Sequence, residues 1–230
     1  MSDCLFDSPL EQPKAVREWS PYENNGGTAL ALSGSDFAIV ASDTRISTGY
    51  SINTRYGTKV KQLTSFCAIA TSGMLADQLA LHKNLEVRMV QYKQYHRKEM
   101  PTRSVAQLLS NMLYYKRFFP YYTFNVVGGI DADGKGAVYG YDAVGSFEQV
   151  PAACSGTGHE LIQPILDNQI DRQHQTGKSK WDISVEDAVA LVKDCFTSAG
   201  ERDIYTGDSV DLLVIDKNGV HFENFELKRD

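Results

Sequence analysis

The sequence predicts an α+β fold in which two antiparallel sheets are each covered by a pair of helices. Three observations predict it. Short apolar runs bounded by Gly, Ser, Asp and Asn open the body, recur in its middle and close the chain. Two stretches between them carry apolar residues at the three- and four-residue spacing of helices. The elements are also grouped as strands, two helices, strands, two helices, strands, which argues against a doubly wound nucleotide fold.

Residues 1–24 hold Pro9, Pro13 and Pro21 and no apolar period, so they read as an extended arm anchored by Trp19 and Tyr22. A single domain is expected over 25–230. It opens with a hairpin, Thr28 to Leu32 and Phe37 to Ala41, turned by Ser33-Gly34-Ser35-Asp36. A mixed segment follows around Tyr50 to Leu63, then a strand from Phe66 to Thr71. Leu75, Leu79, Leu85 and Met89 mark the buried face of a helix running to about Lys98, and Pro101 separates it from a second with Val105, Leu108, Leu109, Met112 and Leu113 inward. Tyr121 to Ile130 and Ala137 to Tyr141 form the next strands, around a turn at Asp131-Ala132-Asp133-Gly134.

A helix from Gly158 to Asn168 and one from Ser184 to Ala199 come next. Ser184 and Asp187 form a capping box built with Asp, and Val185, Ala188, Val189, Val192, Cys195, Phe196 and Ala199 supply the inner stripe. The polar stretch 171–182 reads as an exposed insertion. Val210 to Ile215 and Val220 to Leu227, joined by Asp216-Lys217-Asn218-Gly219, close the chain as a hairpin.

With 42% hydrophobic and 23% charged residues over 230 positions, the composition is that of a folded globular protein. The 23 basic and 29 acidic residues leave a formal charge of −6, which gives no broad attraction for nucleic acid or an anionic membrane. No run approaches the roughly 20 apolar residues of a membrane helix. Cys4, Cys67, Cys154 and Cys195 are widely spaced and read as reduced thiols of a cytoplasmic or nuclear protein.

Several motifs fail on chemistry. Asn24-Asn25-Gly26-Gly27-Thr28 is followed by no Gly-Lys-Ser/Thr, so it is no phosphate loop. Asp131 to Asp142 mimics a calcium loop but places Lys135 and Asp142 where an oxygen ligand and a bidentate Glu belong. His82, His159, His174 and His221 lack zinc spacing, so no metal is expected. Tyr92 to Lys98 and Lys116 to Phe119 mix aromatics with positive charge, but the acidic remainder argues against nucleic acid.

The informative constellation is Ala41-Ser42-Asp43-Thr44-Arg45 with Lys59-Val60, Ser155-Gly156-Thr157-Gly158 and Arg202 to Asp208. These segments resemble the proteasome beta-subunit family of N-terminal nucleophile hydrolases, over about residues 20–230. The resemblance implies a four-layer alpha-beta-beta-alpha sandwich. In active members a threonine freed by cleavage uses its hydroxyl as nucleophile and its amine as base. Carried over without a gap, the family's aspartate, arginine, lysine, serine and second aspartate fall on Asp43, Arg45, Lys59, Ser155 and Asp203, and the threonine falls on Gly27.

Asn25 to Thr28, Phe37 to Arg45, Arg117 to Tyr122, Gly134 to Tyr139 and Leu166 to Gln169 further resemble a eukaryotic non-catalytic member of that family. The expectation that follows is a structural subunit without enzymatic activity of its own, its site positions vestigial. The alternative is a threonine endopeptidase subunit activated by cleavage before Thr28. The resemblance also implies partners: β subunits of the same and the opposing ring, α subunits, and unfolded polypeptides in the chamber. It implies no cofactor, no nucleic acid and no membrane.

Overall fold

The computed structural model describes residues 19–177 and 183–230. Twelve strands lie among them. One five-stranded antiparallel sheet has the order β10-β1-β2-β11-β12, built from Ala152–Gly156, Thr28–Ser33, Ala38–Asp43, Ser209–Asp216 and Gly219–Glu226. The second has the order β5-β6-β7-β8-β9, from Val60–Thr64, Cys67–Gly73, Thr123–Ile130, Gly136–Tyr141 and Phe147–Val150. A small hairpin of β3 (Ile46–Thr48) and β4 (Ser51–Thr54) stands apart from both.

Period-2 alternation explains the layering. In β1 the leucines Leu30 and Leu32 point to one side and Ala29 and Ala31 to the other. Leu30, Leu32, Ile39 and Ala41 meet α3 (His159–Leu166) and α4 (Val185–Gly200) in one core. Cys67, Ile69, Val127 and Tyr139 meet α1 (Leu75–His96) and α2 (Thr102–Tyr115) in another. The small side chains, Ala29, Ala31, Ala68, Ala70 and Ala153 with Val40, Val126 and Val138, fill the space between the sheets. Gly128 belongs to that seam, since a Cβ there would stand 2.6 Å from Val40 Cγ2. The result is the four-layer sandwich anticipated above, helices outside and sheets inside.

The helices carry two refinements. The buried face of α1 is Gln78, Leu81, His82, Leu85 and Met89, while Leu79, expected inside, is 60% exposed. In α4 the Ser184 hydroxyl accepts from the Asp187 N–H at 3.1 Å, so the cap forms as anticipated. Helix α3 runs on into a π-helical turn, Asp167–Asp171, and residues 178–182 of the anticipated insertion lie outside the described residues.

Most of the arm is likewise outside them. In the described part, Trp19 is 85% exposed and does not act as an anchor among the described residues. Tyr22 does anchor: its hydroxyl donates to Pro120 O at 2.8 Å, and its ring lies against Phe119 and Tyr122.

Candidate active site

The anticipated positions converge at one end of the sandwich because strand ends bring them there. Thr28 opens β1, Asp43 closes β2, Lys59 immediately precedes β5, and Ser155 lies in β10 opposite Ala29. Asp203 and Asp208 belong to the loop from α4 to β11.

Asp43 and Lys59 are both buried and paired at 2.7 Å through Oδ1. The same oxygen accepts the Thr28 N–H at 2.8 Å, and Oδ2 accepts Gly207 N–H at 3.3 Å. Lys59 Nζ also donates to Arg45 O at 2.8 Å. Burial pushes the Asp43 carboxyl above its usual range, against the pull of Lys59 and of the two N–H groups. Arg45 does not join this pair. It forks onto Asp208 at 2.8 and 3.3 Å, donates to Ile204 O at 3.0 Å and reaches Asp230 at 3.2 Å. Arg55 adds a second guanidinium to Asp208. Burial acts to raise the Asp208 carboxyl, but Arg45 and Arg55 outweigh it and hold the group below the ordinary carboxylate range.

Residues 27 and 28 face opposite ways. A Cβ on Gly27 would lie 2.1 Å from Lys59 Nζ and 3.1 Å from Asp43 Oδ1, so this position looks into the charged pair. Its φ of +91° is one that glycine adopts without strain. The Thr28 hydroxyl points the other way. It accepts the Gly158 N–H at 3.0 Å and lies 2.6 Å from the Thr206 hydroxyl, which donates to Asp203 at 2.6 Å. Because the Thr206 proton is committed to Asp203, Thr28 is the donor of the pair. The three groups form a chain from two buried hydroxyls to a half-buried carboxylate.

Asp203 therefore acts on the hydroxyl of Thr28, at one remove, and also accepts from Thr157 Oγ1 at 2.7 Å. Ser155 Oγ is buried with no hydrogen-bond partner among the described residues. The residues missed by sequence reasoning are Thr157, Gly158, Thr206 and Asp208 as individual contributors, although their segments had been singled out. Arg55 carried no signal at all.

With this geometry in view, the comparisons with known proteins define the class. The chain belongs to the proteasome subunit family: residues 23–215 match the family described as "Proteasome subunit". Within it the chain is similar to proteins named "Proteasome subunit beta type-1". The one from Dictyostelium discoideum is 52% identical over 229 residues, covering 99% of this chain and 97% of the relative. That from Petunia hybrida is 48% identical, covering 94% and 99%. That from Oryza sativa subsp. japonica is 51% identical, covering 91% and 96%.

These matches correct the expectation of a non-catalytic structural subunit that is not an enzyme. Through nearly its whole length the chain is similar to proteins named as proteasome beta type-1 subunits, names that carry no mark of inactivity, and the non-catalytic expectation is not upheld. A sequence read from Met1 carries everything ahead of a processing site whether or not it is later removed, so it does not argue against cleavage before Thr28.

Proposed function

We propose that this chain is a β subunit of a proteasome-type particle that degrades unfolded polypeptides, with its own threonine chemistry residing in Thr28 after cleavage of the Gly27–Thr28 bond. The observation that carries the reading is the hydrogen bond from Thr28 N to Asp43 Oδ1, an oxygen shared with Lys59. Cleavage turns that amide into an amine already held beside a buried ammonium–carboxylate pair. The amine then serves as base for the hydroxyl of the same residue, which adds to a substrate carbonyl; the amide breaks, the leaving amine takes the proton, and water releases the acyl group. Thr28 Oγ1 must leave Gly158 N and Thr206 for this to happen.

The partners in this reading are other β subunits of the same and the opposing ring, and α subunits. Three buried cysteines, none in a disulfide, support a particle of the cytoplasm and nucleus.

The test is the N-terminal sequence of the chain from purified native particles, before and after treatment with a threonine-directed electrophile. A chain beginning at Thr28 and carrying the adduct there supports hydrolysis by this subunit. A chain that retains residues ahead of Thr28 and stays unlabelled in an active particle refutes it. A native mass near that of one chain refutes the particle itself.

A further inference from the structure

The chain contains two Asn-Gly pairs, Asn25-Gly26 and Asn218-Gly219, and the fold treats them in opposite ways. An asparagine followed by glycine is open to attack on its side-chain amide by the next backbone nitrogen, because glycine carries no Cβ to shield that nitrogen. Asn25 is buried and its amide is fastened at both ends. Its Nδ2 donates to Ser47 O at 3.1 Å and to Thr48 Oγ1 at 3.4 Å, and its Oδ1 accepts the Leu75 N–H at 2.8 Å. The Gly26 N–H goes to a neutral acceptor, Asn24 Oδ1, at 2.9 Å. A Cβ on Gly26 would lie 2.7 Å from Tyr205 Cβ, so the backbone there is wedged in place.

Asn218 is exposed at the tip of the β11–β12 hairpin, in the turn Asp216-Lys217-Asn218-Gly219. Here one carboxylate holds both nitrogens that an attack would involve. Asp216 Oδ1 accepts the Gly219 N–H at 3.1 Å, and Oδ2 accepts from Asn218 Nδ2 at 3.1 Å. Oδ1 also accepts the Asn218 N–H at 2.7 Å. Burial acts to raise the Asp216 carboxyl, but these donors and the nearby His221 outweigh it and hold the group ionised, ready to take a proton. A Cβ on Gly219 would meet nothing within 4 Å, so no described neighbour hinders a movement of the turn.

We propose that Asn218-Gly219 is a self-modification site, where the Asn218 amide is converted through a succinimide into aspartate and isoaspartate with Asp216 as the proton carrier. The Gly219 N–H proton passes to Asp216 as the nitrogen bonds to Asn218 Cγ. The Cγ–Nδ2 bond then breaks, and the departing nitrogen takes a proton from the same carboxyl and leaves as ammonia. Water opens the succinimide at either carbonyl; one opening gives aspartate and the other isoaspartate, and Asp216 ends ionised as it began. Either product sets a second carboxylate beside Asp216, and isoaspartate lengthens the backbone inside a two-residue loop, so the pairs Asp216–Gly219 and Ile215–Val220 at the tip of the hairpin loosen first.

The full-length chain, incubated folded and in parallel unfolded in guanidinium, tests this. Peptides covering positions 25 and 218 are read by mass spectrometry, with fragmentation that separates aspartyl from isoaspartyl residues. Folded Asn218 should convert at least about tenfold faster than the same residue in the unfolded chain, which is the low side of what a positioned acid–base group supplies. Folded Asn25 should convert at least about tenfold more slowly than unfolded Asn25, since its amide is released only when the fold opens. Asp216→Ser keeps an acceptor for the turn but no carboxylate, and should abolish the acceleration at Asn218. Circular dichroism checks that this variant folds; the folded-against-unfolded comparison needs no variant.

The proposal is overturned if folded Asn218 converts no faster than unfolded Asn218, or if Asp216→Ser converts as fast as the unaltered chain; Asp216 is then a cap of the turn and nothing more. Aspartate without isoaspartate at position 218 overturns the succinimide route.

Discussion

A single methyl group placed on Gly27 measures how tightly the charged pair is held. In Gly27→Ala the new Cβ falls 2.1 Å from Lys59 Nζ and 3.0 Å from Lys59 Cε, against a normal separation of roughly 3.5–4 Å. The far end of a lysine normally gives way without cost. Here Nζ is buried and held by Asp43 Oδ1 at 2.7 Å and Arg45 O at 2.8 Å, so a shift sufficient to clear the methyl breaks both bonds. Separating a buried pair costs about 3–5 kcal/mol. An alanine forced to φ +91° adds about 1–3 kcal/mol. The expected loss is thus about 4–8 kcal/mol, a large part of the stability of an ordinary domain.

Gly134→Ala isolates the backbone share, because Gly134 has a φ of +75° and a Cβ there meets nothing within 4 Å. Urea unfolding of the full chain, followed by far-ultraviolet circular dichroism, reads both variants. If Gly27→Ala loses no more than Gly134→Ala, Lys59 is not pinned as described and the account of the pair is wrong. Adding Lys59→Met to Gly27→Ala should then cost less than the two single losses combined, because both remove the same contact.

Three further outcomes follow from buried groups. Burial, aided by the nearby Lys61 charge, lowers the His82 imidazole to about 4, and its Nε2 sits 2.7 Å from Thr71 Oγ1. The folded protein keeps His82 neutral while the unfolded chain protonates it near 6.5, so this contribution is whole above pH 6.5 and fades toward pH 4, by about 3 kcal/mol. His82→Gln should flatten that limb of the stability profile, and an unchanged slope would refute the assignment. Thr206→Val strands the Thr28 hydroxyl and removes a donor from Asp203; urea unfolding should show a loss of about 1–3 kcal/mol. Arg45→Met leaves Asp208 with Arg55 alone, at a cost of about 3 kcal/mol, and should raise the pH at which acid unfolding begins. That sign holds because a depressed carboxyl stabilises the fold above its unfolded pKa and loses the effect as pH falls through the folded one.

What was legible in the sequence was whatever leaves a local periodic trace. The hairpins Thr28 to Ala41 and Val210 to Leu227, all four helices and the Ser184 cap are written in spacing and in turn residues. Strand β10 was not legible: Ala152–Gly156 is five small residues, and what makes it a strand is β1 alongside it, far away in sequence. Strands β4 and β5 are half exposed with mixed polarity, Ser-Ile-Asn-Thr and Val-Lys-Gln-Leu-Thr, so neither gives a clean alternation. Leu79 was misplaced because α1 buries a glutamine and a histidine, Gln78 and His82, in positions that apolar counting assigns to leucine. At the site, Asp43, Arg45, Lys59 and Asp203 were found by motif, but who pairs with whom was not. The two ion pairs cross between segments, and only the fold reveals that Arg45 takes Asp208 while Lys59 takes Asp43.

The arrangement around Gly27 and Thr28 sets a physical condition on the proposed chemistry. Cleavage before Thr28 supplies an amine at Asp43 directly, since the nitrogen is already in place. It does not supply the hydroxyl, which lies across the strand from Lys59 and is held by Gly158, Thr206 and, through Thr206, Asp203. Rotation about χ1 moves an oxygen around its own Cβ and leaves it on the same side of a strand. Thr28 can therefore meet Lys59 only if the backbone at the head of β1 turns when the bond is cut, breaking its first pairing with Gly156. Thr206→Val loosens the grip on the hydroxyl without touching Asp43 or Lys59, so labelling at Thr28 by the electrophile should rise in that variant if this turn is the limiting event. Labelling that is absent in both forms would refute threonine chemistry at this residue.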